Sequence, residues 1–126
     1  MSFSTQWHQN EGILLTTLNE DFNVGQEMPA FMDEARTILD QSNQSQSYII
    51  DFKRSFDMGD IISGTSAVAR GSAALFHHPQ IKKVLFVTND KALKLAAAGM
   101  KSKIFGGINV EVFENLDDAL GFARSN

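Results

Sequence analysis

Cysteine is absent from the chain, which excludes disulfides, thiolate metal sites and thiol nucleophiles. No apolar run approaches the roughly 18 residues that a membrane-spanning helix needs. The opening stretch, MSFSTQWHQNEG, lacks the basic start and apolar centre of a secretory signal. The setting these absences lead us to expect is cytoplasmic and reducing. An excess of positive charge is missing as well. The net charge is −4, and aromatic and basic residues are not interleaved, so nucleic acid is not an expected partner. No integral membrane segment is expected either.

What is present suits one ordinary globular domain over residues 1–126, long enough to bury a core without staples. The charge is unevenly spread. Residues 1–60 hold ten acids against three bases, whereas residues 82–103 hold six lysines against one acid. A lysine-rich segment in an acidic chain can meet phosphate, acidic lipid or an acidic partner. It can equally be the solvated outer face of a helix.

Two short segments rich in β-formers, Thr5–Gln9 and Ile13–Leu18, flank the turn signature Asn10-Glu11-Gly12 and predict a β-hairpin. Of Trp7 and His8, on opposite faces of its first strand, tryptophan is the candidate for the core. Asn19–Gln26 reads as a loop. Met28, Phe31, Met32, Ala35, Ile38 and Leu39 then share one helical face, with Pro29 in the first turn. Tyr48–Phe52 is a nearly continuous apolar run, the mark of a strand covered on both sides. Asp60 is positioned to cap a helix reaching about His77, and Gly64, Val68, Gly71 and Leu75 form a stripe on it. Glycines there cost about 1 kcal/mol each relative to alanine, which makes sense if the helix must approach a sheet closely.

Lys83–Thr88 predicts another buried strand, followed by a helix capped by Asn89 or Asp90 and stopped at Gly106-Gly107. Asn109–Phe113 is shorter and alternating, the pattern of a strand near an edge. Asn115 caps a last helix, with Asp117 and Asp118 in its first turn. The expected fold is α/β: a mixed sheet of about five strands opening with a hairpin, in the order β-β-α-β-α-β-α-β-α.

That order resembles the STAS domain, the fold of bacterial anti-sigma-factor antagonists and of sulfate-transporter tails, and the small STAS-like proteins related to them. The residues carrying the resemblance are YIID at 48–51, the acidic loop leading into the helix from Asp60, the strand KVLFVT, and the ending VEVFENLDDALGFA. It implies a non-catalytic regulatory module working through a protein partner or a small ligand. In the antagonists a phosphorylatable serine follows an aspartate at the start of the helix after the third strand. Here that place reads Asp57-Met58-Gly59-Asp60, while Ser55 precedes it and Ser63, Thr65 and Ser66 follow. A switch at the family's position is therefore not expected.

No residue set has the spacing of a catalytic or metal site. Asp51 and Thr88 end successive strands as in receiver domains, but no acidic pair for Mg²⁺ accompanies them. His77 and His78 are adjacent, and adjacent side chains on a helix point apart. Gly106-Gly107 follows a helix instead of opening one, unlike a phosphate loop. Neither an enzyme nor a cofactor is expected. The candidate binding residues are Ser55, Phe56, Asp57, Met58, Asp60 and Ser63, on a rim that also gathers Asn89–Lys91 and Glu114–Asp117. The alternative is a carrier or sensor of a small apolar or anionic ligand, lipid-like or nucleotide, in a pocket between the 60–76 helix and the sheet. Phe56, Met58, Ile62 and Phe86 would line that pocket. A homodimer could use the hairpin edge at Thr5–Gln9 or a phenylalanine-rich exterior.

Overall fold

The computed structural model describes residues 2–69, 75–102 and 107–125, with the backbone alone for 65–69. Five strands, β1 (Phe3–His8), β2 (Ile13–Leu18), β3 (Gln46–Phe52), β4 (Ile81–Val87) and β5 (Val110–Phe113), form one sheet in that spatial order. β1 and β2 pair antiparallel, from Phe3 opposite Leu18 to His8 opposite Ile13; every later pairing is parallel. The expected order of elements is what the structure has. Gln9–Glu11 make a short 3₁₀ turn, and Gly12 closes it at φ +67°, a conformation that favours glycine.

Helices α1 (Val24–Gln41), α2 (Met58–Ala69) and α3 (Lys91–Met100) connect the parallel strands, and α4 (Leu116–Ser125) follows β5. A right-handed crossover always steps the same way. The strand order never reverses, so α1, α2 and α3 must share one face of the sheet. The core divides accordingly. Phe3, Leu14, Leu18, Tyr48, Ile50, Val84, Phe86 and Val110 face the helices α1 and α3, whose Phe31, Ala35, Leu39, Ala97 and Met100 meet them. On the opposite face Ile13, Leu15, Ile49, Leu85 and Val87 pack under α4, where Ala119 and Ala123 permit close approach.

Several boundaries differ from the sequence reading. α1 starts at Val24, because Asn23 accepts the Gln26 N–H (2.9 Å) and Glu27 accepts the Asn23 N–H (2.8 Å), a reciprocal cap within the expected loop. Pro29 consequently sits in the second turn, not the first. Asp57, not Asp60, caps α2: its carboxylate accepts the Asp60 N–H at 2.8 Å. Leu75–His77 form a separate 3₁₀ turn, and residues 70–74, Gly71 among them, lie outside the described residues. Asp90 caps α3 through Ala92 and Asn115 caps α4 through Asp118. The stop after α3 is described from Gly107, at φ +64°, whose N–H reaches the Ser102 carbonyl (2.8 Å).

Among the described residues there is no phenylalanine-rich exterior. Phe3, Phe22, Phe31, Phe76 and Phe86 are buried, and Phe52, Phe56, Phe113 and Phe122 pack partly buried against the core. Phe105 lies outside the described residues. Trp7 is half-buried as expected, its indole N–H donating to Gln46 (3.3 Å), while His8 is exposed. Among the described residues no helix is long and apolar enough to cross a membrane.

Tyr48, the chain's one tyrosine, is fully buried, with its hydroxyl 2.8 Å from that of Thr16. Burial pushes the phenol above its ordinary range, and the bond with Thr16 offsets this only in part. A phenol in the unfolded chain titrates near about pH 10. Below that pH the folded state keeps the full benefit, and above it stability falls as pH rises. Phenolate absorbance should therefore appear together with alkaline unfolding. A reversible titration near pH 10 with the far-ultraviolet dichroism intact would contradict this burial.

Candidate functional site

The loops at the carboxyl ends of β3, β4 and β5 converge, as the rim expectation requires. Asp90 ties two of them: one carboxylate oxygen caps α3 at Ala92 (2.9 Å) and the other accepts the Phe56 N–H (3.3 Å). The side-chain amide of Asn89 donates to the Glu114 carbonyl (3.4 Å), and Lys94 lies 3.5 Å from the Glu114 carboxylate. Arg54 ties in the loop after β2. Its guanidinium donates to the carbonyls of Phe22 and Ser55, lies 4.9 Å from the Phe56 ring centre, and stands 3.9 Å from Asp60. The sequence reading did not single out Arg54; an isolated arginine beside a phenylalanine and two acids carries no spacing signal.

The candidate residues separate into three groups. Ser55 and Asp57 lie exposed in the loop, Asp57 engaged as the α2 cap. Met58 and Ser63 are exposed on α2, Met58 by 63%. Phe56 and Asp60 are half-buried and line a cavity.

The cavity, of about 50 Å³, lies under α2. Leu18, Ile50, Phe52 and Phe86 of the strands form its floor, with Met28 and Phe31 of α1, Ile61 and Gly64 of α2, and Leu93 and Met100 of α3 around it. Edge-to-face contacts of Phe52 with Phe86 (4.9 Å between centres) and with Phe56 (5.7 Å) stiffen the floor. The expected lining is corrected at two positions. Ile61 faces inward, and a helix turns about 100° per residue, so Ile62 and, one turn back, Met58 are carried outward. The run is apolar on too many sides for its sequence to show which face is inner. Gly64 also differs from its expected role. A Cβ built there meets nothing within 4 Å among the described residues, so it serves no close approach to the sheet; it borders open space.

Asp51 and Thr88, which end successive strands, engage different partners. Strand alternation directs Asp51 to the α4 side, where Lys53 pairs with it at 3.1 Å. The Thr88 hydroxyl instead accepts the Asp90 N–H (3.0 Å) in the turn before α3. His78 accepts the Gln80 N–H at Nδ1 (3.0 Å), which leaves Nε2 to donate to Asp40 (2.7 Å). Among the described residues no three His, Asp or Glu side chains group as metal ligands. Comparison with family models, with curated proteins and with solved structures finds no match for this chain.

If Asp90 joins two loops as well as capping α3, Asp90→Ala should cost about 2 kcal/mol in urea unfolding, and Asp57→Ala about 1 kcal/mol. Equal, negligible costs would show that the rim is not held by these caps.

Proposed function

We propose that this chain is a non-catalytic STAS-like module that holds a small apolar ligand between α1, α2, α3 and the sheet. The observation that carries this reading is an apolar cavity bordered by a helical glycine that nothing among the described residues crowds. Leaving about 50 Å³ void costs roughly 1 kcal/mol. Glycine in place of alanine at an inner helical position costs about 1 kcal/mol more. Both penalties fall at one place, where alanine has room. A ligand that uses the space accounts for both.

As it stands the cavity is smaller than the roughly 150 Å³ of an apolar cavity that takes benzene. A larger guest enters by displacing the half-buried side chains at its border, Phe56 and Met28. Among the described lining residues Asp60 alone is charged, which disfavours an anionic group deep inside; the guest's polar part belongs at the mouth, near Arg54.

A second reading, a regulatory module that binds a protein partner through the rim, is supported by the exposure of Ser55, Asp57 and Met58 on loops locked together by Asp90. The STAS resemblance serves both readings.

Native mass spectrometry after gentle isolation should detect a bound small molecule in the parent protein. It should be lost from Gly64→Leu, whose side chain fills the space. Gly64→Ala should be more stable than the parent by about 1 kcal/mol. A parent that is always empty and takes up no small hydrocarbon at saturation would remove the ligand-holding reading.

A further inference from the structure

Among the described residues three large apolar side chains are strongly exposed: Met58 at 63%, Ile62 at 61% and Leu95 at 73%. They are not scattered. With Asp60, Ile61 and Gly64 turned to the cavity, Met58 and Ile62 lie on the outer and one lateral side of α2. Right-handed crossovers place α3 on that same lateral side. With Leu93, Ala97 and Met100 turned inward, Leu95 lies on the outer side of α3. The three side chains therefore stand on the outer surface of two neighbouring helices, Met58 and Ile62 on the side of α2 nearer α3.

Lysines flank them. Lys91 is exposed at the start of α3 and Lys101 just after its end, within the stretch 82–103 that carries the chain's positive charge; Lys94, partly exposed, faces the Glu114 carboxylate at 3.5 Å. Of the acids at these helices, Asp57 and Asp90 are engaged as caps at the amino-terminal ends and Asp60 is turned to the cavity beside Arg54. The patch is apolar at its centre and cationic at its border, in an otherwise acidic protein.

We propose that this α2–α3 surface docks on an anionic lipid bilayer, with Met58, Ile62 and Leu95 entering the headgroup region and the lysines meeting lipid phosphates. Area and composition favour a bilayer over a protein. Three such side chains offer on the order of 400 Å², about half of what each partner contributes to a standard protein interface. Among the described residues the patch contains no aromatic side chain and no arginine, the anchors of protein interfaces, and lysine is depleted at such interfaces. A few aliphatic side chains plus lysines are what interfacial attachment uses, and the binding is weak, reversible and sensitive to salt. The inference is independent of any cavity ligand.

The test is co-sedimentation with vesicles of phosphatidylcholine alone or with about 30% phosphatidylglycerol, at low and high salt. The parent should bind only the anionic vesicles and be released by high salt. Ile62→Asp/Leu95→Asp should bind at least tenfold less, as should Lys91→Glu/Lys101→Glu, and both variants should melt with the parent because the sites are exposed. No binding by the parent at low salt, or undiminished binding by the aspartate variant, would overturn the proposal. So would a concentration-dependent dimer that the aspartate variant abolishes, since the patch would then serve a second copy.

Discussion

The handedness of the strand–helix–strand crossover shapes this molecule more than any single contact. Three such crossovers stepping in one direction give a sheet whose order never reverses and lay α1, α2 and α3 side by side on one face. Open α/β sheets usually bind ligands at a crevice where the strand order reverses. That crevice has no place here. The apolar gap of this fold lies between the helix layer and the sheet, beneath the middle helix.

The two faces have different requirements. α4 alone covers Ile49, Leu85 and Val87, and alanines let it lie close. The three-helix face is filled largely by aromatic rings. Phe3, Phe22 and Phe31 meet edge-on at 6.0–6.4 Å, and a second series runs from Tyr48 through Phe76, Phe86 and Phe52 to Phe56. The gap lies where the series ends, beside Phe56 and Gly64. Arg54 and Asp90 then fix the border of that gap by joining loops far apart in sequence.

The strands and the order of elements were legible because their signals are local: apolar runs at 48–50 and 84–87, a hairpin glycine, and Asn or Asp before each of the last two helices. The start of α1 was not, because Gly25 and the polar residues around it resemble a loop until Asn23 and Glu27 are seen to cap each other. The inner face of α2 was hidden by apolar residues on several sides; only contact with the sheet separates Ile61 from Ile62. Phe56 and Asp60 were identified as candidates from their place after a strand, and they border the cavity. Arg54 was missed because its partners are mostly backbone carbonyls, which a sequence does not display.

The most direct measurement is methyl NMR of the protein under xenon, an apolar atom small enough for the gap without rearrangement. If the space beneath α2 accepts an apolar guest, Leu18, Val24, Ile50, Ile61 and Leu93 should shift saturably, while Leu15, Ile49 and Leu85 on the α4 face stay unmoved. Shifts that are absent, or that fall equally on both faces, would mean that the three-helix face holds no site.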